Sequence, residues 1–278
     1  MRYNAAMIKP IKTYSLDNLK QLMKDLGQPS FRAKQLYEWL YLHHVGSYDE
    51  MTNLPQTLRV QLSADYPLFT PAVIDSQTSQ DGTAKYVISY HDGARVETVA
   101  IPSSDGRLTV CCSTQAGCAM GCTFCATGKE GFTRNLSAGE IVDQILIAQT
   151  RMGKRVSNVV VMGQGEPFLN YEQTLNALHI LNDEKLLNIG ARHITLSTCG
   201  ILSGIDRLGT EPEQFTLAVS LHAAIQRTRD KIMPGVANYG LGKLKTVLLK
   251  YIERTNRRVT LEYAMMNRVN DNEEDLKA

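Results

Sequence analysis

No stretch of this 278-residue chain approaches the roughly 18 uninterrupted apolar residues that a membrane-spanning helix needs. Arg2, Lys9 and Lys12 near the start are not followed by an apolar core, so a secretory signal peptide is not expected. An excess of one charge is also missing. The 30 Lys plus Arg face 28 Asp plus Glu, a formal charge of +2, so any nucleic-acid surface must come from local clustering. No internal repeat or low-complexity segment occurs. With 43% hydrophobic, 21% charged and 7% aromatic residues, the composition excludes a disordered tail, a collagen-like fibre and a coiled coil. The expected location is the reducing cytoplasm, where six cysteines serve as ligands or reactive thiols rather than as a disulfide framework.

Residues 1–95 read as a small α/β accessory unit. Leu16, Leu19, Leu22, Met23 and Leu26 recur at helical spacing, with Ser15 as N-cap and Gly27 as a stop, and a second helix is expected over Phe31–Leu42. Alternating Tyr86, Ile88 and Tyr90 before an Asp92-Gly93 turn indicate short strands. The unit is either a plain packing module or a platform for RNA. Residues 96–278 alternate apolar strands (Leu108–Thr114, Asn158–Met162, His193–Ser197, Phe215–Leu221, Arg258–Ala264) with helices (Ser137–Met152, Tyr171–Asn182, Leu202–Leu208, Leu241–Thr255). Strands alternating with helices predict a parallel α/β sheet, open or closing into a partial (β/α) barrel. Ser137 and Glu140 form a capping box. The last residues read as the start of a further helix, so the architecture is expected to be an incomplete form of a longer protein.

Five of the six cysteines fall within residues 111–125. Cys118-Ala-Met-Gly-Cys122-Thr-Phe-Cys125 directly follows a strand, so three thiolates on one loop can grip a compact inorganic core. A structural zinc site takes four ligands, and no His lies between Cys118 and His179. A [4Fe–4S] cluster normally takes four cysteines, and three leave one iron open. The cluster is the favoured reading, with zinc and unligated thiols as alternatives.

CxxxCxxC with an aromatic before the last cysteine (Phe124) resembles the radical S-adenosylmethionine (SAM) superfamily. The resemblance implies a cluster at the C-terminal face of the strands, SAM chelated by the open iron, and a 5′-deoxyadenosyl radical. Gly163-Gln-Gly165-Glu166-Pro167 resembles that superfamily's GGEP-like element, with Gln164 replacing a Gly. Gly165, Glu166, Ser197, Ser220, Leu221 and His222 are then the implied SAM contacts. The segments Phe31–Leu40, Val96–Val99, Gln115–Cys118, Gly190–Thr198, Ala218–His222 and Thr255–Glu262 resemble the RlmN/Cfr family of radical SAM RNA methyltransferases. The motifs are nearer its adenine-C2 branch (RlmN) than its adenine-C8 branch (Cfr). The substrates implied are 23S rRNA and tRNA, with flavodoxin or ferredoxin as electron donor and a monomeric enzyme. A non-catalytic iron–sulfur RNA-binding or assembly protein is the alternative.

In that family a methyl group is first placed on a protein cysteine, because adenine C2 is too electron-poor to attack SAM directly. Glu97 matches the proton acceptor and Cys111 the cysteine that resolves the adduct through a transient disulfide. Cys112 and Cys199 read as small buried residues. The family's methyl-carrying cysteine lies far downstream, and this chain has no cysteine after Cys199. It also has no match to the family's later SAM-contacting Asn. Lys129, Arg134, Arg151, Lys154, Arg155, Arg227, Arg229 and Lys231 are read as solvated helix faces, some of them available to RNA phosphates.

Overall fold

The computed structural model describes residues 9–278; Arg2 lies outside them. Helices α1 (Leu16–Asp25), α2 (Phe31–Tyr41) and α3 (Gln56–Asp65) come first. The Ser15 hydroxyl accepts from the Asn18 amide (3.3 Å), and Gly27 takes the left-handed φ of 66° that ends the turn. Leu19, Leu22 and Met23 of α1 pack with Ala33, Leu36 and Leu40 of α2 and with Leu58 and Leu62 of α3. The periodicity did not reveal α3, a short helix that buries only two leucines.

This helical unit is pinned to the rest by an ion pair. Lys12 Nζ lies 2.5 Å from Asp143 Oδ1 on the long helix α5 (Ala138–Met152), with both side chains almost inaccessible. Gly139 makes the approach possible, because a Cβ there would lie 2.5 Å from Lys12 Cβ and Lys12 O. The Ser137–Glu140 capping box at the start of α5 is present as expected.

The strands β1 (Ala72–Thr78), β2 (Ala84–Ser89), β3 (Arg95–Pro102), β4 (Leu108–Cys111), β7 (Asn158–Val161), β8 (Ile194–Thr198), β9 (Thr216–Ser220) and β10 (Val259–Glu262) form one sheet in that order. β1 to β4 pair antiparallel, and β4 through β10 run parallel. The strands foreseen in the N-terminal unit therefore continue the main sheet, which runs without a break across residue 95. β5 (Gln115–Gly117) and β6 (Phe132–Asn135) form a separate two-stranded ribbon around the short helix α4 (Ala126–Glu130).

Helices α6 (Tyr171–Asn182), α7 (Leu202–Leu208), α8 (Gln226–Ile232) and α9 (Leu241–Thr255) lie between the parallel strands, and α10 (Glu273–Lys277) closes the chain. Three of these match the expected ranges; α8 was not foreseen. β4 is shorter than its apolar run suggests. The buried Gln144 side chain accepts from the Ser113 amide and donates to the Ser113 carbonyl, both at 2.8 Å, which lifts the chain out of the ladder. Thr98 Oγ1 donates to the same amide oxygen at 2.8 Å. Among the described residues β10 is the open parallel edge, and Leu261 on it is 53% exposed.

Candidate cluster and cofactor site

The cysteine loop begins where β5 ends and is tied down at both flanks. The Cys118 amide donates to Gly131 O (2.8 Å), the Thr123 amide to Ile232 O (2.9 Å), and the Gly235 amide to Met120 O (3.0 Å). Gly128 sits so close to the Cys122 backbone that a Cβ would lie 2.9 Å from Cys122 O. These contacts turn the half-buried Cys118, Cys122 and Cys125 toward one cavity of about 310 Å³ at the C-terminal ends of the parallel strands. Gly165, Glu166, Ser197, Ser220 and His222 line the same cavity. Gly165 has φ 100°, and a Cβ there would lie 2.6 Å from Gln115 Cβ, so this bend admits only glycine.

Three thiols around one space suit a soft metal centre. Burial pushes the Cys122 thiol up to about 11, with Cys118 and Cys125 adding to the rise. Burial also raises Cys118, helped by Glu166 and Cys125. Thiols that oppose one another's ionisation are stabilised as thiolates by a cationic centre among them. The residues therefore fit a three-cysteine iron–sulfur cluster. A fourth sulfur, Cys199 Sγ, lines the cavity but is engaged at 3.1 Å with Met120 Sδ, and burial followed by Glu166 drives its pKa far up.

Glu166 is 3% exposed and spent on the fold. Its Oε1 accepts from the Phe168 amide (3.0 Å) and Thr198 Oγ1 (2.8 Å), and its Oε2 from the Cys199 amide (2.8 Å). Burial raises its pKa, while the Cys199, Phe168 and Thr198 donors work against that rise. His222 occupies the left-handed region at φ 52°. Its Nδ1 accepts from the Ala264 amide (3.0 Å), so the neutral ring carries its proton on Nε2, and the ring stands edge-on to Phe124 at 4.9 Å. Buried Asn270 supports the turn by donating to His222 O (2.5 Å) and Ala264 O (2.8 Å).

Glu262, at the end of β10, was not singled out by sequence reasoning. Its Oε2 accepts from both Ser197 Oγ (2.7 Å) and Ser220 Oγ (3.0 Å). The available clue was its place as the last residue of a parallel strand. Arg229 corrects an expectation: it is not a solvated phosphate ligand but is 1% exposed. It donates to Cys199 O (2.6 Å), Leu221 O (3.2 Å) and Ser220 O (3.3 Å), because α8 turns this side chain onto the strand ends. Arg134 is likewise engaged, with Asp92 and Glu140.

Three of the expected residues lie outside the cavity. The Leu221 side chain lines an apolar groove with α9 and β10. Glu97 is exposed on β3 and paired with Lys85 at 2.8 Å. Cys111, on β4, is opposite Val99 and beside Val160. Register places Glu97 and Cys111 on the sheet face that carries Ser197 and Ser220. All six cysteines are free thiols, so the expected disulfide is not supported. The physical reason is that Cys111 has no downstream partner in this sequence, and the adjacent Cys112 is buried toward the opposite face. No helix among the described residues is long and apolar enough to cross a membrane.

A half-barrel whose cysteine loop, Gly-Glu turn and strand-end hydroxyls share one cavity defines a cofactor-dependent enzyme of the radical SAM class. Residues 112–277 match the Radical SAM superfamily, and residues 11–66 match the ribosomal RNA large subunit methyltransferase N-terminal domain. The chain is 43% identical, over 98% of its length and 78% of the relative's, to a probable dual-specificity RNA methyltransferase RlmN of Clostridium perfringens. It is 47% identical to the one from Geobacillus thermodenitrificans, over 94% of this chain and 72% of that one. A crystal structure of a radical SAM methyltransferase from Sphaerobacter thermophilus superposes with a TM-score of 0.89 at 42% identity, covering 97% of this chain and 80% of that chain. The chain belongs to the RlmN family of radical SAM RNA methyltransferases.

Proposed function

We propose that this chain serves methylation of adenine C2 in 23S rRNA and in tRNA, with Cys118, Cys122 and Cys125 holding a [4Fe–4S] cluster and Gly165, Glu166, Ser197, Ser220, Leu221 and His222 framing SAM. The single observation that carries this reading is the convergence of the three thiols with Glu166, Ser197, Ser220 and His222 on one cavity. When bound and reduced by a carrier such as flavodoxin or ferredoxin, the cluster supplies the electron that converts SAM to a 5′-deoxyadenosyl radical. The protein's part is to hold and to shield. Met120, Phe124, Met162 and Met233 line the cavity and keep water from a reactive carbon centre. Glu166 fixes the Gly165 turn to the end of β8, and Arg229 fixes the exits of β8 and β9 to each other. Leu221 contributes through its backbone, whose amide donates to Glu262 O at 3.0 Å.

Glu97 is the proposed acceptor of the C2 proton and Cys111 the proposed resolving thiol, both reached from the concave face. Burial raises the Cys111 pKa, so this thiol is held protonated until an adduct forms beside it. The methyl-carrying cysteine of the family's route has no counterpart among the six cysteines. Methyl transfer is therefore measured both with this chain and with a form extended by the corresponding segment of a relative. RNA must present an unstacked adenine, and the exposed Lys129, Lys154 and Arg227 are available to its phosphates.

Anaerobic reconstitution with iron and sulfide is expected to give a brown, monomeric protein that cleaves SAM under reduction, and Cys122→Ala is expected to lose that colour. Digested 23S rRNA and tRNA treated with the extended form should contain 2-methyladenosine. A colourless zinc protein would overturn the cluster, and 8-methyladenosine would overturn the assignment to C2.

A further inference from the structure

We propose that Glu262 sets the hydrogen-bond polarity of the cofactor wall, turning Ser197, Ser220 and its own carboxylate into a row of acceptors for the vicinal hydroxyls of the SAM ribose. The proposal rests on the reading of the cavity as a SAM site.

The three residues come from adjacent parallel strands. Ser197 on β8 is opposite Ala218, two residues before Ser220 on β9, and Ser220 is opposite Glu262 on β10. Register thus puts all three side chains on one face, at the strand ends that open into the cavity. A carboxylate accepts and cannot donate, whereas a serine hydroxyl has one proton and two lone pairs. Both serine protons are committed to Glu262 Oε2, at 2.7 and 3.0 Å. Each serine therefore turns lone pairs, not a proton, toward a ligand. Glu262 Oε1 takes no hydrogen bond from any described residue, which leaves it as a further acceptor.

Such a wall rejects ligand acceptors and selects ligand donors. The donors of SAM are its ammonium, its two ribose hydroxyls and the adenine amine. The ammonium belongs with the methionine end, which a three-cysteine cluster with an open iron chelates. Of the remaining donors, a pair of hydroxyls on neighbouring carbons matches acceptors delivered by neighbouring strands; a lone exocyclic amine engages only one. Glu262 acts in part through the serines and is to that extent a positioning residue, whose loss should be read as altered ligand preference rather than as lost folding.

The test uses the anaerobically reconstituted protein with its cluster, as wild type and as Glu262→Gln, with iron content and cluster absorption verified in each. Equilibrium titrations use SAM, 5′-deoxyadenosine, its analogues lacking the 2′- or the 3′-hydroxyl, and L-methionine. Wild type is expected to prefer 5′-deoxyadenosine over the deoxy analogues by about tenfold or more, the range of a hydrogen bond to a charged group. In Glu262→Gln that preference should shrink below about threefold, with methionine binding unchanged, because the amide introduces a donor into the wall. Ser197→Ala/Ser220→Ala should erode the same preference, which keeps the proposal testable if the Glu262 variant is unstable. An undiminished preference in Glu262→Gln, or an equal loss for methionine and nucleoside, overturns the role given to Glu262 while the SAM site stands. Failure of the cluster-loaded wild type to bind SAM at all overturns the cofactor reading, and this proposal with it.

Discussion

Replacing Glu166 by Gln removes a charge but almost no volume, so its effect isolates hydrogen bonding. The carboxylate accepts three donors, two of them backbone amides in a region with no room for compensating water: Phe168 N, Cys199 N and the Thr198 hydroxyl. Glutamine has one acceptor oxygen and one amide group. With the oxygen toward Phe168, its NH₂ meets the Cys199 amide, donor against donor. Flipped, the oxygen satisfies Cys199, and the Thr198 hydroxyl can rotate to accept, but the Phe168 amide is orphaned. Either orientation leaves one buried backbone N–H unpaired, which costs about 1–3 kcal/mol. With an unfolding entropy of about 2.1 cal/mol/K per residue, a central loss of about 2 kcal/mol lowers the melting temperature of this 278-residue chain by about 3–4 °C. Differential scanning calorimetry of metal-free wild type and Glu166→Gln, backed by urea midpoints at unchanged slope, measures it. A variant melting within about 1 °C of wild type would refute the claim that Glu166 is the structural tie between the Gly165 turn and β8.

Asp143→Ala is expected to destabilise by about 3–5 kcal/mol in urea unfolding, because it leaves Lys12 buried without its partner, and Lys12→Met/Asp143→Leu should recover most of the loss. Arg229→Met should lower the melting temperature by several degrees, since three strand-end carbonyls lose their donor, and should weaken SAM binding without changing iron content. Burial lowers the His222 pKa below its ordinary 6.5, Glu262 opposing and Arg229 adding to the effect. The unfolded chain therefore binds this proton near pH 6.5 and the folded chain only at lower pH. The stability contributed by His222 is full above pH 6.5 and is lost as pH falls below it. His222→Asn, which tolerates the left-handed backbone, should flatten that part of the stability–pH profile in circular-dichroism melts.

Local chemistry was legible without coordinates. The cysteine triplet lies on one loop, so its spacing alone puts three sulfurs together. The helices over 171–182, 202–208 and 241–255 follow from an apolar period that each segment carries in itself. The Ser137–Glu140 box needed only four residues. What depended on pairing between distant strands was not legible. Glu262 meets Ser197 across 65 positions of sequence, through the register of β8, β9 and β10. Arg229 looked like any basic residue on a short helix, and only the docking of α8 against the strand ends buries it. Glu166 promised a free carboxylate for a ligand, yet tertiary packing surrounds it with three protein donors. Strands β2 and β3 were expected in a separate unit, but edge pairing with β4 carries them into the main sheet. Sequence determined which groups can do chemistry, because reactivity belongs to the side chain and its near neighbours. Tertiary structure decided which groups face the cavity and which are spent on holding it, because burial and hydrogen-bond partners come from strands that meet only when the sheet closes.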